Sequence, residues 1–196
     1  MATERGLAVR AAVREVSSVV AINGLGGLAY LWERLAAAMA PGYRLEVLDL
    51  AGHGDRPRVA DYHYDALVED VVERVASHRT FPLLGWSVGA AVAWLVAARH
   101  PDRVTHLVLI EPAAPHQSPF RFAPDPPASH EFTFASIDEA VQAIGAIYPT
   151  VTEIDVRRLY RQNAASRWEP RFDPAIFPAL VEDAREQGEE EPKSRG

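Results

Sequence analysis

The stretch that decides the fold is Leu83-Leu84-Gly85-Trp86-Ser87-Val88-Gly89-Ala90. An apolar run over residues 81–86 predicts a buried strand, and a run of small residues over 89–98 predicts a buried helix. The glycines two positions before and after Ser87 lack the bulk that would hold strand and helix apart. The pattern therefore predicts a sharp strand–turn–helix junction, with the Ser87 hydroxyl above the free N–H groups of the helix.

Strands and helices alternate on both sides of this junction. The β-branched run over 16–22 and the runs over 44–50 and 104–110 predict three further strands. Apolar residues at helical spacing over 28–39 and 64–75 predict the helices between them. This alternation is typical of an α/β fold, with a mostly parallel sheet flanked by helices.

The amino-acid composition changes after residue 112. Six of the 15 prolines lie between Pro112 and Pro127, which predicts an extended crossing segment. Three helical patterns follow, one of them opened by the capping box Ser136-x-x-Glu139. We therefore expect a core over 1–112, a helical cap over 113–185 and a disordered acidic tail over 186–196.

The amino-acid composition argues against several classes of function and site. The 196 residues carry 20 Lys and Arg against 27 Asp and Glu, a net charge of −7 that argues against a nucleic-acid partner. The absence of cysteine excludes disulfides and thiolate metal sites, and no other metal-ligand spacing occurs. No apolar run has membrane-spanning length and no secretory signal opens the chain. We expect a cytoplasmic protein with no metal, no cofactor and no membrane partner.

Three motifs, in order along the chain, resemble those of the α/β-hydrolase fold superfamily, in its serine hydrolase or esterase type. They are Asn23-Gly24-Leu25-Gly26-Gly27, Asp49-Leu50-Ala51-Gly52-His53-Gly54-Asp55-Arg56 and Gly85-Trp86-Ser87-Val88-Gly89. Asn23 stands where His is commoner, and Arg56 stands where Ser is usual. The resemblance is close over residues 16–112 and loose over 113–185.

The resemblance implies a site and a reaction. Ser87 would attack the carbonyl of a carboxylic ester or lactone, a small-molecule substrate. The backbone N–H groups of Leu25 and Val88 would hold the oxyanion. Asn23, Gly24 and Trp86 would contact the substrate, and His53 would shape its loop.

A serine hydroxyl also needs a base and an orienting acid. The family order is Ser, then acid, then His, yet no histidine follows His130. We therefore expect that the C-terminal strands are missing and that the chain alone is weakly active or inactive. Glu111 is the best-placed acid, while His116 and His130 are weaker candidates for the base. The uncovered edge of the 104–110 strand predicts self-association.

Two alternatives stay open. Gly24-x-Gly26-x-x-Ala29 after a strand, with Asp49 after the next strand, also fits the fingerprint of a Rossmann-type dinucleotide-binding oxidoreductase. A non-catalytic protein that keeps the hydrolase architecture is the other alternative. Labelling of Ser87 and stabilisation by a nicotinamide cofactor would distinguish them.

Overall fold

The computed structural model describes residues 17–112 and 132–189. Within them, the main sheet has four parallel strands: β1 (Ser17–Ile22), β2 (Tyr43–Leu48), β3 (Phe81–Trp86) and β4 (Val104–Ile110). A 3-10 turn (Ala29–Trp32) and helix α1 (Glu33–Ala38) connect β1 to β2. Helix α2 (Tyr64–Arg74) precedes β3, and α3 (Val88–Arg99) connects β3 to β4. The predicted fold class, a mostly parallel sheet flanked by helices, is confirmed.

The strand order is β2-β1-β3-β4, so the chain reverses its direction across the sheet between β1 and β3. In open parallel sheets, the crevice beyond the carboxyl ends of two such strands is the usual place for a ligand. The loop that begins at Asn23 and the junction at Ser87 leave the sheet at this crevice. In the Rossmann-type dinucleotide-binding fold, the third strand pairs with the second. Here β3 pairs with β1, so the strand order differs from that fold.

The core forms on both faces of the two central strands. Val20, Ile22 and Leu83 are almost fully buried, and apolar residues of α2 and α3 pack with them in one cluster. Burial of Ala90, Ala91 and Ala93 lets α3 lie close to the sheet, which explains its run of small residues.

A smaller cluster lies in the segment after residue 132. It joins helices α4 (Ile137–Ile147) and α5 (Glu153–Leu159) with a hairpin of β5 (Tyr160–Gln162) and β6 (Trp168–Pro170). Ala140, Val156 and Tyr160 form its buried centre. Half of the predicted capping box at Ser136 is present: Ser136 Oγ accepts from the Glu139 N–H at 3.1 Å, whereas the Glu139 carboxylate accepts from the Ala135 N–H at 2.7 Å. Residues 113–131, the first part of the expected cap, lie outside the described residues.

The last helix departs from the expected boundaries. Helix α6 (Ile176–Glu189) buries Ile176 and Leu180 in the main core, so it packs with the sheet side and not with the cap cluster. It also runs through residues 186–189, where the sequence predicts the start of a disordered tail. The apolar residues near the start of α6 pack into the main core and stabilise the helix, so it continues into the acidic residues.

Strand β4 is the last strand of the order, and it is unusually exposed. Val108 is 51% exposed and Ile110 is 40% exposed. No strand pairs with the outer edge of β4 among the residues that the structure describes. In the same part of the chain, no helix is both long and apolar enough to cross a bilayer.

Candidate active site

Ser87 occupies the junction between β3 and α3 in a backbone conformation that few residues adopt. Its φ is 54° and its ψ is −121°, outside the regions that side-chain-bearing residues favour. The Ser87 N–H donates to the Ile110 carbonyl at 2.9 Å, which ties the junction to the end of β4. The side chain is half-buried, and its hydroxyl makes no hydrogen bond to a described residue.

Two glycines make this junction sterically possible. A Cβ on Gly85 would lie 2.3 Å from the Gly89 carbonyl oxygen, and a Cβ on Gly89 would lie 2.3 Å from the Asn23 carbonyl oxygen. Both contacts are with backbone atoms, which cannot rotate away. The glycines on either side of Ser87 therefore let strand, helix and the loop after β1 meet around the serine.

The loop after β1 lies directly against Ser87. A Cβ on Gly24 would lie 3.1 Å from the Ser87 Cβ and 3.2 Å from the Trp86 ring. Gly24 therefore lies beside the serine, and Leu25 follows it in the loop where the sequence predicts the oxyanion site. The Leu25 N–H makes no hydrogen bond to a described residue.

Asn23 lies beneath this loop, and the expectation that it contacts substrate needs correction. Its side chain is fully buried, with Nδ2 donating to Asp49 Oδ1 at 2.5 Å and Oδ1 accepting from Trp32 Nε1. Both polar atoms of the side chain are thus engaged with the protein. Burial raises the pKa of Asp49. Its carboxylate hydrogen-bonds Asn23 and so supports the loop, whereas the dinucleotide alternative requires this carboxylate to bind a ribose.

His53 fixes the same loop from the other side. Its Nδ1 donates to the Ala51 carbonyl at 3.1 Å, so its Nε2 accepts from the Gly26 N–H at 3.0 Å. Burial lowers the pKa of the fully buried imidazole, which keeps the ring neutral and Nε2 able to accept. The structure thus supports the interpretation of His53 as a loop-shaping residue.

Phe172 supports His53, and sequence reasoning missed it. The two rings stack with centroids 5.7 Å apart, and the two backbones form an isolated antiparallel bridge. No local pattern signals this contact, because the two residues are far apart in the sequence and Phe172 lies in no motif.

A large apolar cavity opens between the loop and the cap cluster. Its volume is about 610 Å³, and Leu25, Trp86 and Phe172 line it on the core side. On the cap side it is lined by residues of α4, α5 and the segments around them, including Ile144, Ile147, Tyr148, Val151, Leu159 and Tyr160. Ser87 itself is not among the lining residues, but Trp86 next to it is.

Glu111 lies next to the site on the other side. It follows β4 directly, has a φ of 49° and accepts a hydrogen bond from Trp86 Nε1 at 2.9 Å. The carboxylate therefore hydrogen-bonds the residue before Ser87, and it hydrogen-bonds no imidazole among the described residues.

A base for Ser87 is missing from the described part of the chain. His63 pairs with Asp61, His78 pairs with Glu46, and His53 is used by the loop. Neither these nor His100 and His106 hydrogen-bond Ser87. His116 and His130 lie outside the described residues. Within 17–112 and 132–189, no group of three or more metal-ligating side chains could hold an ion.

Comparison with known proteins agrees with this geometry. A family model described as the alpha/beta hydrolase fold matches residues 18–169. A pimeloyl-[acyl-carrier protein] methyl ester esterase of Chromobacterium violaceum is 32% identical over 137 residues, 69% of this chain and 50% of the esterase. An epoxide hydrolase 3 of Xenopus tropicalis is 36% identical over 96 residues, 46% of this chain and 26% of that protein.

A solved structure extends the likeness to the fold. An alpha/beta hydrolase from Novosphingobium aromaticivorans superposes with a TM-score of 0.65 at 22% identity, covering 84% of this chain and 62% of the other. The chain thus spans about half the length of the Chromobacterium esterase that it matches. Motifs, strand order and family model agree: the chain belongs to the α/β hydrolase fold family.

Proposed function

We propose that the chain carries the nucleophile and the oxyanion site of a serine hydrolase that acts on a carboxylic ester or lactone. The observation that carries the proposal is the strained backbone of Ser87, held at the end of β3 by the Gly85 and Gly89 contacts. Strain of this kind costs about 1–3 kcal/mol and persists mainly where function needs it. Ser87 Oγ would attack the acyl carbonyl and form an acyl-enzyme.

Two backbone amides would stabilise the negative charge that develops in this attack. The Val88 N–H is among the first of α3, which have no acceptor within the helix, and the Leu25 N–H has no acceptor among the described residues. The hydrogen bonds of Asn23 and His53 hold the Leu25 loop in place beforehand. Loss of one such donor typically lowers the rate by about 10²–10³.

The substrate class follows from the cavity. Its walls are mainly aliphatic and aromatic, which suits an apolar acyl chain, and Leu25 and Trp86 bring it next to the nucleophile. We propose that Gly24 and Trp86 contact this substrate and that α4, α5 and the β5–β6 hairpin act as its cap. The name of the Chromobacterium relative, a methyl ester esterase, supports an ester substrate.

The acid and the base form the incomplete part of the proposal. Glu111 would orient the base through its position at the end of β4, but the described residues bring no imidazole to Ser87. In serine proteases that lack a whole triad, the oxyanion site and binding alone leave about 10³–10⁴ over water. We therefore expect this chain, by itself, to hydrolyse esters far below ordinary enzyme rates.

The test is hydrolysis of p-nitrophenyl butyrate by the wild-type chain and by Ser87→Ala. We expect a slow, enzyme-dependent release of nitrophenol that Ser87→Ala lowers to the residual rate sustained by the oxyanion site and binding alone. Ser77→Ala, at an exposed serine after α2, serves as the matched control and should hydrolyse at the wild-type rate. Equal rates for wild type and Ser87→Ala would contradict the proposal and favour the non-catalytic alternative.

A further inference from the structure

A second, polar pocket shares Phe172 as a lining residue with the apolar cavity. Its volume is about 230 Å³, and it combines the loop after β2 with residues of the β5–β6 hairpin and the segment after it. It is lined by Gly52, Gly54, Asp55, Arg56, Arg58, Arg161, Arg171 and Phe172. We call it the arginine pocket. Phe172 lines both spaces, so the two lie side by side.

Each of the four arginines pairs with a carboxylate but keeps N–H donors available for a ligand. Arg56 pairs with Asp70, and Arg161 donates to Glu169 at 3.1 Å. Arg58 lies 3.8 Å from Asp173, and Arg171 lies 3.8 Å from the fully exposed Asp55. At 3.8 Å these two pairs are long, and one partner in each is well exposed to solvent, so they contribute little to stability. Each guanidinium carries five N–H donors, so donors remain for a ligand.

Asp173, one of these carboxylates, is committed elsewhere. It accepts hydrogen bonds from Tyr62 Oη at 2.9 Å and from the Ala175 N–H at 3.1 Å. Because these bonds occupy both carboxylate oxygens, the interaction of Asp173 with Arg58, at 3.8 Å, is weak. Asp55, at full exposure, can turn away from Arg171 at little cost. The pocket can thus present the charge of Arg58 and Arg171 to a ligand.

Arg56 makes this pocket a feature of this chain. It stands at the last position of the second motif, where the family usually has a serine, and the proposed reaction at Ser87 makes no use of it. Its pair with Asp70 anchors the loop that carries Arg58, and Asp70 also pairs with Arg74 at 3.7 Å. The substitution of a small hydroxyl side chain by a guanidinium adds a fixed positive charge to the wall.

We propose that the arginine pocket binds an oxyanion, a phosphate or a carboxylate, on the polar part of the substrate whose acyl chain occupies the apolar cavity. Planar guanidinium groups bind both kinds of oxyanion through paired, charge-assisted hydrogen bonds. The inference rests on the proposed function for the identity of the ligand as an ester. Binding at the pocket, however, does not require the reactivity of Ser87.

The experiment uses titration calorimetry with octyl phosphate, octanoate, octanol and inorganic phosphate. The proteins are the Ser87→Ala chain, which keeps both spaces, and the same chain with Arg58→Gln or Arg171→Gln added. Arg79→Gln is the matched control, because Arg79 is exposed and precedes β3. It therefore lies at the amino-terminal end of the parallel strands, and the site lies at their carboxyl end. Thermal melts of each variant confirm that it folds.

We expect octyl phosphate or octanoate to bind at least about tenfold more tightly than octanol, which corresponds to one charge-assisted hydrogen bond. Arg58→Gln and Arg171→Gln should remove most of this preference, while Arg79→Gln should leave it unchanged. The tighter of the two charged probes identifies the oxyanion as phosphate or carboxylate.

Two results would overturn the inference. Equal affinities for octanol and for both charged probes would show that the pocket binds no oxyanion beside the acyl chain. Binding of inorganic phosphate as tight as that of octyl phosphate would show an anion site unconnected with the cavity. Because every protein lacks the Ser87 hydroxyl, neither result bears on hydrolysis, and a failure of hydrolysis leaves this test intact.

Discussion

At Ser87 the backbone conformation and the chemistry make opposite demands. A φ of 54° suits glycine, but only a residue with a hydroxyl can act as the nucleophile. We expect Ser87→Gly to be more stable than Ser87→Ala by about 1 kcal/mol, because glycine relieves the strain that alanine keeps. Urea unfolding of the two variants measures the difference. A glycine variant less stable than the alanine variant would show that the junction is unstrained.

His53 predicts a pH dependence of stability. Its pKa is lowered in the folded chain, so below about pH 6.5 the unfolded chain binds the extra proton first. The free energy of unfolding should therefore fall as pH falls from 7 to 5, by at most about 1.4 kcal/mol per pH unit.

The control is His53→Gln, which has no group that titrates in this range. Asp61 raises the pKa of His63, which works in the opposite direction, but this contribution is common to both proteins and cancels. The stability advantage of the wild type over His53→Gln should thus shrink as pH falls. An advantage that stays constant or grows towards pH 5 would contradict a buried, neutral His53.

At this scale, sequence reasoning succeeded where a motif carries its own local context. The positions of Ser87 and His53 follow from glycine patterns and neighbouring strands. Asn23 did not follow, because the sequence does not show that Trp32 and Asp49 both turn towards it. The arginine pocket was equally hidden, since Arg56 and Arg171 meet only through the tertiary fold.

At the scale of elements, the approach of β3, α3 and the loop after β1 depends on Gly89. An alanine there would bring Cβ within 2.3 Å of the Asn23 carbonyl oxygen, so backbone must move. We expect Gly89→Ala to lower the free energy of unfolding by about 3 kcal/mol. Gly145→Ala is the control, because its Cβ would meet only Val151 Cγ1, at 3.9 Å.

Gly145 lies within α4, where alanine should stabilise the chain by about 0.5–1 kcal/mol. Urea unfolding should therefore give changes of opposite sign for the two variants. A mild effect of Gly89→Ala, similar in size to that of Gly145→Ala, would show that the three elements are not packed as tightly as described.

Periodicity predicted the elements of the sheet side well, since each strand and helix there has its own apolar signature. It placed the third helical pattern in the cap, and the acidic composition predicted a tail over residues 186–189, which α6 includes. The apolar residues Ile176 and Leu180 of this helix complete the main core, and only the sheet that they pack against makes this visible.

At the scale of the whole molecule, β4 has no partner strand on its outer edge among the described residues, and its Val108 and Ile110 side chains are exposed. An exposed apolar edge strand favours pairing with another chain. We expect the isolated chain to self-associate, and Val108→Lys to shift it towards monomer in sedimentation velocity. Val59→Lys, at a 40% exposed residue outside the sheet, should leave the association unchanged. A wild-type chain that stays monomeric at high concentration would contradict this prediction.

Fold class and family were predictable from the sequence because three ordered motifs each fix a junction of the same sheet. The limits of the cap were not, since α6 returns to the core. The base for Ser87 stays unassigned, because no described histidine reaches it.

The central claim is that the fold presents the Ser87 hydroxyl as a nucleophile, near backbone amides that have no acceptor among the described residues. The most direct test is mass spectrometry of the chain after incubation with a fluorophosphonate, followed by peptide mapping. We predict a single adduct on Ser87 that is absent from Ser87→Ala, with the exposed Ser77 unlabelled. Labelling that is absent at Ser87, or no greater there than at Ser77, would contradict the account.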